Sequence, residues 1–164
     1  MSNFIQEAAS PQVGRTISLS EKARATLGMI TSAESGINLE IPLFASDTEA
    51  VRFACMLGLR VNGDTLVPIA NEANARTLIN IGSLDTDGAV SFTQVVSLMA
   101  PTAIPAEPLT RVVRRYAEWG LARIQEWREQ ADIAEEEVVL DMAHLIEKSE
   151  ALIDETGVTQ MQGA

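Results

Sequence analysis

Apolar positions recur at helical spacing through most of this chain and alternate in only one short stretch. Residues 15–19 (RTISL) alternate and are β-branched, which predicts a short strand. Ser18 and Glu21 then stand at capping-box spacing, and Ala23, Leu27, Ile30 and Ala33 carry a helical stripe that Gly36 is placed to stop. After an extended stretch around Pro42, Ser46 and Glu49 form a second capping box. The helix they start, with DTEAVRFACML as its body, is expected to end at Gly58. Val61-Asn62-Gly63-Asp64 reads as a tight turn of the hairpin kind, and residues 71–80 read as weakly helical. Residues 84–88 read as a turn, and 89–99 fit either helix or strand.

The last third is helical. In 108–129, Leu109, Val112, Val113, Tyr116, Gly120, Ile124 and Trp127 share one stripe. Arg111, Arg114, Arg115, Glu118, Ala122, Gln125, Glu126 and Glu129 fall opposite. Asp132 and Glu135 offer the start of a final helix whose stripe is Val138, Met142, Leu145, Ser149 and Leu152, widened by Val139, Ile146 and Ile153. The pattern predicts a mainly α fold of four to five helices with at most a short β ribbon or hairpin. It divides the chain into an arm at 1–14, a helical core at 15–130, an acidic amphipathic helix at 131–155 and a frayed tail at 156–164.

Charge sharpens that division. The net charge is −11, and segment 131–164 holds nine acids against Lys148 alone, whereas 106–130 has five arginines against four glutamates. An acidic chain is repelled by phosphate backbones, so DNA is expected to be met weakly or indirectly and proteins to be the partners. No apolar run approaches the ~20 residues of a membrane helix. The first fourteen residues lack the basic and apolar regions of a secretory signal, and the lone Cys55 fits a reducing cytoplasm.

Candidate chemistry is thin. Glu135, Glu136 and Glu137 are placed to stabilise a helix start. Asp141 and His144 have the carboxylate-x-x-His spacing of di-iron bundles, but the inward positions of the other helices carry no glutamates to complete such a set. LDTDGAVSF places its glycine too early for a calcium loop. One Cys and one His cannot make a zinc shell, and no phosphate-binding glycine loop occurs. No cofactor, metal or catalytic residue is therefore expected. Arg111, Arg114 and Arg115 could contact phosphates or an acidic partner, or pair with Glu118 and the acidic helix. Val138, Met142, Leu145, Ile146 and Leu152 are the expected partner-binding or self-association positions. The strand-then-helix opening suggests a second role, that of a dimeric ribbon-helix-helix-like DNA regulator.

Two segments carry a family resemblance: PLFASDTEAVRFACMLGLRVNG and RVVRRYAEWGLARIQEW. The first holds an acid-capped helix with a Phe-Ala-x-x-Leu-Gly core, the second a Tyr-Ala-Glu-x-Gly-Leu helix. Through them, 42–127 resembles the small proteins encoded beside DNA-phosphorothioation (Dnd) defence genes. The resemblance implies a cytoplasmic, mostly helical accessory protein of a host defence locus; the expected function is that of a non-enzymatic subunit of such an antiphage system, with other products of the locus as partners. It brings no functional residues with it. The opening is also loosely similar to the small DNA-associated subunit of the modification complex.

Overall fold

The computed structural model describes residues 16–31, 43–63, 65–69, 75–85, 91–100, 108–133 and 141–162. In chain order these form β1 (Thr16–Leu19), α1 (Glu21–Thr31), α2 (Asp47–Asn62), β2 (Arg76–Asn80), a 3-10 turn (Ile81–Asp85), α3 (Phe92–Met99), α4 (Leu109–Ile133) and α5 (Met142–Gln162). The fold is mainly α, with five helices and one two-stranded antiparallel sheet among the described residues. Thr16 pairs with Asn80 and Leu19 with Arg76, with a register shift between Ile17 and Ser18.

Several elements differ from the sequence expectation, each for a local reason. Residues 76–80 are strand rather than weak helix, because β1 supplies a partner some sixty positions away that local pattern cannot show. The cap of α1 is Ser20, not Ser18: its hydroxyl accepts from the Ala23 N–H at 3.2 Å. Ser46 caps α2 as expected, while the Glu49 carboxylate reaches one residue beyond the cap. Ser46 Oγ accepts from the Glu49 N–H, while the Glu49 carboxylate reaches back to the Ala45 N–H, both at 3.2 Å. However, α2 runs past Gly58 and ends at Gly63, whose φ of 56° suits glycine and whose N–H donates to the Leu59 carbonyl at 3.1 Å. Val61 and Asn62 of the expected tight turn thus belong to the end of α2, and the chain turns just beyond, where the Thr65 N–H donates to the Asn62 carbonyl at 2.9 Å. The helix in 108–129 extends to Ile133, past the expected cap at Asp132, and α5 is capped instead by Asp141. Helix α5 continues to Gln162, through most of the segment expected to fray. Within the segment 89–99, Phe92–Met99 form α3, capped by Ser91. Gly36, Glu135, Glu136, Glu137, Val138 and the 1–14 arm lie outside the described residues.

The core sits where α2 crosses α4. Val51, Ala54, Cys55 and Leu59 of α2 meet Val113, Tyr116, Ala117, Leu121 and Ile124 of α4, all essentially without exposure. Ile17 and Leu19 of β1, Leu27 and Ile30 of α1, Val96 of α3 and Leu145 of α5 join the same cluster. Helices α2 and α4 run antiparallel and very close. A Cβ on Gly58 would lie 2.5 Å from the Tyr116 carbonyl oxygen, and one on Gly120 would meet the Ala54 backbone. These two glycines are what let the backbones touch, so Gly58 is a packing residue and not a stop. Trp127 packs at the edge of the cluster, and Phe44 and Phe53 stack at a tilt, 5.4 Å between ring centres.

Candidate protein-binding face

Buried polar groups come first, because they show which charged side chains the fold has already used. Arg114 and Glu118, expected on the outer face of α4, are each only 6% exposed. Arg114 Nε donates to Glu118 Oε2 at 2.9 Å, and the Ser20 N–H donates to Glu118 Oε1 at 3.0 Å. In a capping box the third residue of the helix reaches back to the cap's own N–H. Here that third residue is Ala23, and Glu118, from a helix distant in sequence, takes the role. The charged pair thus ties the β1–α1 corner to α4.

The other arginines of the candidate patch are dispersed. Arg115 donates to the Val67 carbonyl at 3.0 Å, and the neighbouring Tyr116 hydroxyl donates to the Thr65 carbonyl at 3.1 Å. Both pin the 65–69 segment onto α4. Arg111 is exposed. The structure therefore brings no three-arginine phosphate cradle together on α4, since Arg114 is turned into a buried pair. Glu118, one of the two partners the sequence offered, is 2.9 Å away, while the acidic last helix packs on α2.

The remaining titratable candidates serve helix ends. Asp85, at the end of the 3-10 turn, accepts from the Thr93 hydroxyl at 2.7 Å, the Thr93 N–H at 3.0 Å and the Ser91 hydroxyl at 3.2 Å. Those bonds, the Thr93 hydroxyl foremost, hold its carboxyl below the usual carboxylate range. Asp141 accepts from the His144 N–H at 2.8 Å and sits 2.6 Å from His144 Nδ1. The backbone bond, then the ring, lower its carboxyl as well. Asp141 and His144 thus form an exposed helix cap, and among the described residues no group of three or more His, Cys, Asp or Glu is placed to hold a metal. Burial pushes the Cys55 thiol up, away from the reactive thiolate.

The expected partner positions on α5 separate into two kinds. Leu145 is fully buried in the shared core, and Ser149 beside it is buried with its hydroxyl donating to the Leu145 carbonyl at 2.7 Å. Leu145 belongs to the fold, which corrects its place among the partner contacts. Met142 and Leu152 are half-buried, while Ile146 is 44% exposed. Val138 lies outside the described residues. Two exposed apolar residues were missed, Leu66 at 39% and Leu98 at 86%; the more exposed, Leu98, lines a shallow depression of about 340 Å³ with Thr93, Gln94, Ser97 and Leu109. Its signal in the sequence was its position off the Phe92, Val96, Met99 stripe of α3.

No helix among the described residues is long and apolar enough to cross a membrane. No protein-family model, curated protein or solved structure matches the chain. The class that the structure defines is thus its architecture: a mainly α domain, built on an antiparallel two-helix crossing, with a small β ribbon at one side.

Proposed function

We propose that the chain is a non-enzymatic accessory subunit that acts by binding other proteins, in an antiphage defence system linked to DNA phosphorothioation. The observation that carries the binding part is the use made of its polar side chains. Glu118, Arg114, Arg115, Asp85 and Asp141 each hold an element in place, and Cys55 is an inert core thiol. What α5 presents outward is a carboxylate-rich face beside partly exposed aliphatic side chains. The defence setting rests on the resemblance of 42–127 to proteins encoded beside phosphorothioation genes. The pairing of β1 with β2 inside one chain weighs against the alternative, a DNA-reading ribbon shared between two chains.

The test is co-expression of the tagged chain with the untagged genes that neighbour its own, followed by purification at ~0.15 M salt, where charge steering still operates. Retention of one or more neighbouring products in fixed proportion is the expected result. A chain that purifies alone from that mixture overturns the reading.

A further inference from the structure

The inner and outer edges of α5 are built differently. Leu145 and Ser149 face the core and lay the helix on α2. One step round the helix, Ile146 and Ile153 stand seven residues apart, so they lie on one line about 10 Å apart. Ile146 is 44% exposed and Ile153 half-buried. Glu150 lies between them, four residues after one and three before the other, which makes it their immediate neighbour on the surface. Glu147 and Asp154 come next round the helix, both exposed. The result is an aliphatic ridge edged along its outer side by three carboxylates, with Lys148 on the opposite flank of the helix.

We propose that this ridge docks a basic segment of a partner protein, one whose apolar side chains meet Ile146 and Ile153 while Lys or Arg residues meet Glu147, Glu150 and Asp154. The inference rests on the reading of the chain as a protein-binding subunit and adds the surface and the chemistry of the partner. Charge selects the occupant. A second copy placed ridge to ridge and antiparallel about a two-fold axis would set carboxylates against carboxylates, which opposes association. Nucleic acid is repelled by the same three groups. A basic protein segment gains on both counts: its approach is steered by the acidic edge, and its apolar residues cover the aliphatic line.

The experiment compares the full-length tagged chain with two variants, Glu147→Gln/Glu150→Gln/Asp154→Gln and Ile146→Asp, each co-expressed with the neighbouring genes. All four positions lie on the outer side of α5, so melting within a few degrees of wild type is the expected control result. The wild type is expected to retain a neighbouring product that is released as salt rises from about 0.15 to 0.5 M, over which charge screening deepens. The triple Gln variant is expected to retain at least tenfold less at ~0.15 M salt, and Ile146→Asp to retain none. Retention at the wild-type level by either variant overturns the docking site while leaving the accessory function in place. If the wild type retains only a differently tagged second copy, the proposed occupant is wrong. If it retains nothing, the function on which the inference rests fails as well.

Discussion

At the scale of single residues, Glu118 ties the β1–α1 corner to α4. Its carboxylate is buried, takes the Arg114 guanidinium on one oxygen and the Ser20 N–H on the other, and so stands in for the missing capping-box acid of α1. Removing one partner of a buried pair leaves the other charge uncompensated, which costs about 3–5 kcal/mol, whereas replacing both with apolar groups of similar size costs far less. Glu118→Ala is therefore expected to lower the denaturant midpoint sharply, and Arg114→Met/Glu118→Leu to recover much of the loss. The recovery is incomplete because Ser20 still loses an acceptor, a penalty of about 1–3 kcal/mol. Additive losses in that double-mutant cycle would show that the two side chains do not act as a pair. Asp85 gives a pH-dependent case. Its carboxyl is held below the usual range by Thr93 and Ser91, so the folded state binds its proton less readily than the unfolded chain does. The stability it adds is complete above the unfolded value, near ~4, and is lost as pH falls below that through the lowered folded value. In Asp85→Asn, urea midpoints between about pH 5 and pH 2 should fall less steeply than in wild type. Parallel profiles would mean that the Thr93 and Ser91 bonds do not persist in solution.

At the scale of elements, the chain is legible where an element's cause is local and illegible where it is tertiary. The Ser46 cap of α2 and the Val113–Tyr116–Ile124 stripe need only their neighbours in sequence, and both stand in the structure as the pattern predicts. Strand β2 needs β1, and Glu118 is drawn inward by Ser20, so neither could be read from local period. Glycine shows the same limit. Gly58 looked like a helix stop because glycine commonly ends helices, yet its use here is the approach of a second backbone. Whether a glycine serves packing can be tested by sign. Alanine in an open helical position is worth up to ~1 kcal/mol over glycine. At Gly28, on the exposed side of α1 with nothing near a would-be Cβ, Gly28→Ala should raise the melting temperature. At Gly120 the added Cβ would come 2.7 Å from the Ala54 Cα and carbonyl carbon. There the helices must part, and Gly120→Ala should lower stability by about 2 kcal/mol or more despite the better propensity. A rise in melting temperature for both variants would mean that α2 and α4 cross less closely than described.

At the scale of the whole molecule, charge and its placement decide what the protein can meet. The chain carries −11 overall, and sequence alone left open a cationic patch of Arg111, Arg114 and Arg115 on α4. The fold dismantles that patch: Arg114 is neutralised inside by Glu118, and Arg115 is held against the Val67 carbonyl. DNA affinity depends on neutralising several phosphates at once, with each contact releasing condensed counterions. A face reduced in this way, on a protein of opposing net charge, cannot assemble many such contacts. The purified protein is accordingly expected to shift no DNA fragment below about 10 µM at ~0.15 M salt, with or without a specific sequence. Lowering the salt should bring only a weak shift, equal for unrelated sequences, because any residual attraction would be to phosphates and not to base edges. Submicromolar, sequence-dependent binding by the protein alone would instead favour the DNA-regulator reading. Its loss on Arg15→Ala, with the fold intact by circular dichroism, would then locate the contact beside β1 and away from α4.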